Sequence, residues 1–194
     1  MSEKKRILVV IGHPSKQSFS KLIGESYFKG AKEAGKEVKI VYLSGMKFNP
    51  SLENGYRKNQ KLEKDLVEFQ KYLLWAEHLV FVYPIWWGGA PAKFSGLIER
   101  TFLPGFAFKF RKRGILPEQL FRGKSARIFL VKGSSRIFYF GSFAFPGMIM
   151  RRFILNLTGV FPVRINSFYH MTRVSERKKE RILSKVLNMG KKGK

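Results

Sequence analysis

Cysteine is absent from these 194 residues. That excludes disulfides, thiolate metal sites and a cysteine nucleophile, while permitting a reducing compartment. Histidine is scarce: His13, His78 and His170 fall at no ligand spacing, so no metal site is expected. Acidic side chains are few, 13 against 38 Lys and Arg, for a net charge of +25. Long hydrophobic runs are missing as well. The N-terminal basic cluster is followed only by the short run from Ile7 to Ile11, which is too brief for a signal-peptide core or a membrane span, and a cytoplasmic protein is the expectation. The charge excess suits an anionic partner, whether nucleic acid, an acidic membrane surface or a phosphorylated ligand. A solvated basic surface with no partner explains it equally well. Local clusters at 109–113, 177–179 and 191–194 are the candidates for a patch.

What is present is enough apolar residue, 44% of the chain, to bury one sizeable core, and residues 1–194 read as a single domain without repeat or linker. The organising stretch is 81–102, FVYPIWWGGAPAKFSGLIERTF. It begins at the end of an apolar run from His78 to Tyr83, which reads as a strand buried on both faces. Two tryptophans and two glycines break it, and Pro91 suits the first turn of a following helix. That helix places Phe94, Leu97, Ile98, Thr101 and Phe102 on one side, leaving Glu99 and Arg100 for another. In an open α/β sheet, ligands settle beyond the carboxyl ends of the strands, and a large flat apolar ligand suits this loop.

The same alternation runs through the rest of the chain. Arg6 to Ile11 reads as a central strand that enters a loop of Gly12, His13, Pro14, Ser15, Lys16, Gln17, Ser18, Phe19 and Ser20. A helix follows, closed at Gly35, so that its first amides face the space above the sheet. With Ser15, Gln17, Ser18 and Ser20 beside them they form a candidate phosphate cradle, although serines in this position are also ordinary caps. Residues 37–43 form a second strand, 44–59 a long loop, and 60–75 a helix with Leu62, Leu66, Phe69 and Leu73 inward. Residues 104–124 read as a second irregular stretch whose aromatics need a ligand or a partner to cover them. Ser125 to Val131 is a fourth strand leading into Lys132, Gly133 and Ser134, then the aromatics Phe138, Tyr139 and Phe140. A helix over 146–157, a strand over 162–169 and a helix over 175–188 complete a doubly wound parallel sheet.

Several chemistries lack their residues. Gly123-Lys124-Ser125 resembles the end of a P-loop, but Glu118 stands where its first glycine belongs. No G-x-G-x-x-G follows the first strand, and no G-x-S-x-G elbow occurs.

Taken together, the loops at 12–20, 83–100 and 133–134, with Lys47-Phe48-Asn49-Pro50 and Gly105-Phe106-Ala107-Phe108, resemble the flavodoxin-like NAD(P)H dehydrogenase (quinone) family over roughly residues 6 to 170. The most specific element is P-x-x-W followed by A-P-A and a helix ending in Glu-Arg. The resemblance implies an α/β flavodoxin-like three-layer fold with a five-stranded parallel sheet that binds FMN, or FAD, without covalent attachment. It places His13, Gln17, Ser18, Phe19 and Ser20 at the phosphate region. Pro84, Ile85, Trp86, Trp87 and Gly88 would line the flavin ring, with Gly133 and Ser134 in a third loop. Family members often carry asparagine at the position of Ser20. They usually read Thr-Thr-Gly-Gly where this chain reads Val131-Lys132-Gly133-Ser134, and they carry a histidine where this chain has the Phe143-Ala144-Phe145 run.

A flavin carries its own redox chemistry, so the protein needs a dry slot rather than a nucleophile or metal. The expected activity is a ping-pong NAD(P)H:quinone oxidoreductase: NADPH or NADH gives hydride and leaves, and a quinone-like acceptor takes the electrons in the same place. Lys132 and Tyr139 are the catalytic candidates, as stabilisers of charge on the reduced ring. The resemblance further implies a homodimer, with Phe106, Phe108 and Phe110 as candidates for its seam. Peripheral association with anionic membrane fits the charge. Nucleic acid does not fit, because binding motifs are absent and the aromatics gather at strand ends. The alternatives are a basic flavodoxin-like regulatory or accessory protein that binds an anionic membrane or nucleic acid with little turnover, and an electron carrier, whose expected acidity this chain lacks.

Overall fold

The computed structural model describes residues 4–56, 60–111, 114, 116–141 and 146–194. The Phe143-Ala144-Phe145 run, Lys112 and Arg113 lie outside the described residues. Five strands form one parallel sheet: β1 (Arg6–Ile11), β2 (Glu37–Tyr42), β3 (His78–Pro84), β6 (Ser125–Val131) and β7 (Val163–Phe168), in the order β2-β1-β3-β6-β7. β1 carries Ile7 beside Val38 of β2 and beside His78 of β3, so the chain leaves β1 toward one edge and returns to its other side. That reversal opens a crevice above the ends of β1 and β3, where doubly wound sheets take their ligands. Because β3 is covered on both faces, all its residues from His78 to Pro84 are buried, which is why it reads as an unbroken apolar run.

Helices cover both faces. On one side α1 (Phe19–Glu33) and α5 (Glu176–Lys192) pack over Ile7, Val9, Val80, Val82 and Phe129. These helices approach so closely that a Cβ on Gly30 would stand 2.0 Å from the Leu187 carbonyl oxygen, and one on Gly190 2.2 Å from that of Tyr27. On the other side α2 (Lys64–Trp75), α3 (Ala92–Thr101) and a π-helix (Ile149–Asn156) cover Leu8, Val10, Leu79, Phe81 and Ile128.

The structure departs from the sequence reading in four places. Pro91 is the N-cap of α3, with extended ψ of 141°, and not part of its first turn. The 104–124 stretch contains a short antiparallel pair, β4 (Phe108–Lys109) with β5 (Glu118–Gln119). Residues Arg136–Gly141 form a helix, α4, where the sequence showed only an aromatic run. The fourth is Arg100, left by periodicity off the apolar face yet only 1% exposed. Its guanidinium donates to the carboxylate of Glu63 at 2.9 Å, to the Lys61 carbonyl at 2.9 Å and to the Asn49 carbonyl. A planar five-donor group can satisfy a loop of several carbonyls at once, so it is buried as the peg that holds the loop before α2. Phe106 and Phe108 are half-buried against the chain's own core, which leaves Phe110, 70% exposed, as the outward member of that aromatic trio.

Candidate functional site

The site is built at the carboxyl ends of β1, β3, β6 and β7. Gly12 follows β1 and is pinned there by its amide, which donates to the Val82 carbonyl at 2.7 Å. A Cβ at that position would stand 2.4 Å from the Phe94 ring. The chain then turns through Ser15, whose amide donates to His13 Nδ1 at 3.0 Å, and enters α1 at Ser18. Ser18 caps the helix by accepting the Lys21 amide at 3.1 Å. The first amides of α1 have no intrahelical acceptor, and its first turn carries no acid, so this end of a 15-residue helix is electropositive.

A cavity of about 270 Å³ sits against it. Its walls are His13, Ser18, Phe19 and Ser20 from the first loop, Pro84, Ile85 and Trp86 from the second, and Gly133 from the third. Sequence reading had named these eight residues. Val131, Met171 and Thr172 complete the lining and were missed. The usable signal was positional, since the loop after β7 rises at the same sheet edge as the others and is stitched to the third by Met171 N to Lys132 O at 3.0 Å and Thr172 Oγ1 to Gly133 O at 3.5 Å. The Ser20 hydroxyl is the most telling atom here. Ser20 is 1% exposed, and its Oγ has no hydrogen-bond partner among the described residues. A buried hydroxyl without a partner is costly unless a ligand supplies one. An anion at the helix end, with the Ser20 hydroxyl and free amides as donors, resolves the cost, so the residues present fit a phosphate-bearing cofactor. Burial lowers the pKa of His13, whose ring meets Trp86 edge-on at 5.4 Å.

The remaining expected residues stand apart from this lining. Gln17 is exposed in the first loop. Trp87 and Gly88 form the two central positions of a tight turn, φ +51° and +79°, closed by reciprocal 2.9 Å hydrogen bonds between Trp86 and Gly89. Such turns favour Asn or Gly at the first central position, so a tryptophan there is held at a conformational cost, with its indole wholly in solvent. Lys132 is turned inward, 3% exposed, its ammonium 4.7 Å from the ring centroids of both Tyr139 and Tyr169. Desolvation lowers its pKa, opposed by the hydrogen bond with Tyr169. Tyr139 is buried, which raises its pKa, while its hydrogen bond with Ser134 opposes the shift. Lys132, Tyr139 and Ser134 thus form one cluster at the end of β6, behind the cradle wall.

A second cavity, about 510 Å³, lies on the α3 side of the Trp86–Gly89 turn. Tyr83 and Ile85 of β3, Gly88 and Gly89 of the turn, Phe94 and Ile98 of α3, and Met150 and Ile154 of the π-helix line it. Ile85 belongs to both cavities.

A family model described as flavodoxin-like fold matches residues 5–192. The chain is 29% identical over 160 residues to NAD(P)H dehydrogenase [quinone] 1 of Cavia porcellus, covering 72% of this chain and 57% of that protein. It therefore spans a little over half the length of that relative. Among solved structures, a protein of Streptococcus mutans UA159 superposes with a TM-score of 0.80 at 25% identity, over 96% of this chain and 99% of that one. An NAD(P)H:quinone oxidoreductase from Methanothermobacter marburgensis superposes at 0.76 and 23% identity, over 97% and 96%, a likeness of fold.

Proposed function

We propose that this chain, which belongs to the family of flavodoxin-like fold, is a flavin-dependent oxidoreductase that passes electrons from NAD(P)H to a quinone-type acceptor. The observation that carries the reading is the unpartnered Ser20 hydroxyl at the electropositive end of α1, inside a cavity walled by four strand-end loops. FMN is the favoured cofactor, because one phosphate satisfies that cradle. Ser18, Phe19 and Ser20 would hold the phosphate, and Pro84, Ile85, Trp86 and Gly133 would flank the ring. When bound, the flavin supplies two-electron hydride chemistry that no side chain of this protein provides.

The chain's own residues bind, orient and exclude water. The Trp86–Gly89 turn presents an exposed indole, Trp87, on which a flat ring can stack. Lys132 acts through the two tyrosines rather than by contact, and the cation under the Ser134 loop is a positioning element for the wall at Gly133. Two partners are part of the proposal. A second copy would cover the exposed apolar side chains Phe110 and Phe153. An anionic membrane surface fits the outer side of α5, where Arg177, Arg181, Lys185 and Lys192 are all exposed and each could add about 1 kcal/mol. No helix among the described residues is long and apolar enough to cross a membrane.

The test is an absorbance spectrum of the purified protein with added FMN or FAD, then NADPH without oxygen. Flavin bands that bleach support the reading. Protein that binds neither flavin overturns it and leaves the basic face of α5 as the alternative, checked by salt-sensitive binding to anionic vesicles.

A further inference from the structure

We infer that the apolar cavity on the α3 side of the Trp86–Gly89 turn receives the hydrophobic tail of the acceptor, so that the natural acceptor is a long-chain, lipid-type quinone rather than a bare ring. The inference rests on the quinone-reductase reading and adds to it the substrate class. At about 510 Å³ the cavity lies within the range of small-molecule pockets, roughly 300–1,000 Å³. Its floor is a stacked pair, Tyr83 and Phe94, with centroids 4.7 Å apart and planes at 24°. Burial raises the Tyr83 pKa, so the phenol stays neutral. Ile98, Met150 and Ile154 supply aliphatic walls, and Ile149, 70% exposed, extends the apolar surface outward at the mouth.

Continuity with the cradle is direct. Ile85 is a wall of both cavities, and the turn that separates them has Trp86 on the cradle side and Gly88 and Gly89 on the other. A Cβ at Gly88 would meet nothing within 4 Å, and one at Gly89 only the Trp86 carbonyl oxygen at 3.9 Å, so both glycine positions of the turn face open space. Charge selects among apolar occupants. Glu99 is the one charged side chain in the described lining, so a fatty acid or anionic lipid is disfavoured and an uncharged chain is favoured, on a protein that is otherwise strongly cationic.

The experiment uses two benzoquinones with the same head group, one bearing a decyl tail and one a methyl group. Binding is measured by calorimetry on the full chain, and turnover is then measured with NADPH. The tail is expected to tighten binding at least about tenfold. The variants Ile154→Trp and Ser95→Phe, both at half-buried residues of the cavity lining, are expected to erase the difference and leave the methyl quinone unchanged; Ser95→Phe keeps the test open should the first variant fold poorly. A tail that adds nothing, or an advantage that survives in both folded variants, overturns the inference. Tail affinity that disappears as the protein is concentrated into dimers would assign the cavity to a second copy and overturn it as well. If neither quinone is reduced while the binding gap and its loss in the variants persist, the reductase reading fails and the cavity remains a tail site.

Discussion

At the carboxyl end of the sheet, Ser20 Oγ is buried without a partner beside a cavity; near the amino end, His78 Nε2 and Tyr27 Oη are buried and equally without partners among the described residues. The second pair adjoins neither cavity. His78 Nδ1 lies 2.8 Å from Ser125 Oγ, and its ring stacks on Tyr27 at 6.4 Å. Burial drives the His78 pKa down to about 3, with the cations Lys5, Arg127 and Arg164 acting in the same direction. Burial likewise raises the pKa of Tyr27. One end therefore holds an unmet donor where a ligand can reach it, and the other seals His78 and Tyr27 in neutral form. A missing partner signals a site only when space and a complementary field accompany it.

Acid is expected to expose the largest difference. A histidine with a depressed folded pKa keeps its full stabilising contribution above the unfolded value, near 6.5, and loses it as pH falls toward 3, because the unfolded chain takes up the proton first. Stability measured by urea unfolding should fall with a slope approaching about 1.4 kcal/mol per pH unit. His78→Phe should flatten that slope between about pH 6 and pH 5, above the main carboxylate range. An unchanged slope would mean that the sealed end is not closed to protons.

The same edit at each end should have opposite consequences. Ser20→Ala removes a donor that a phosphate would use and should weaken FMN binding about tenfold, roughly 1.4 kcal/mol, with no loss of thermal stability. Tyr27→Phe removes a hydroxyl with nothing to bond and should raise stability by up to about 1 kcal/mol while leaving FMN affinity alone. Fluorescence titration and thermal melts on both variants check the pair. If Ser20→Ala binds FMN normally, the cradle is not where the phosphate sits. The smallest effect should come from inorganic phosphate alone, which should raise the melting temperature slightly in wild type and less in Ser18→Ala, where the cap is lost at a cost of about 1 kcal/mol.

Most of the cradle was legible because it follows from order along the chain. A buried strand, a loop and a helix place the residues after β1 and β3 above the sheet wherever their side chains point. Loop geometry was not legible in the same way. Trp87 reads as a ring-lining residue, and only the two-residue turn shows that its indole stands in solvent, outside the cradle's own lining. Lys132 reads as a cation for the site, and two tyrosines from separate segments draw it inward. Arg100 reads as a residue left off the apolar face of its helix, and a loop some forty to fifty residues earlier in the chain surrounds it with carbonyls.

The sequence by itself determined the layers, the parallel sheet and the helix end that faces the crevice, because hydrophobic period and chain order are local properties that a doubly wound sheet translates directly into place. The tertiary structure alone decided which polar atoms lack partners, which cation is buried, that Met171 and Thr172 join the cradle, and that a second cavity opens beside it. Those depend on distances between segments far apart in the chain, and no local pattern of residues encodes them.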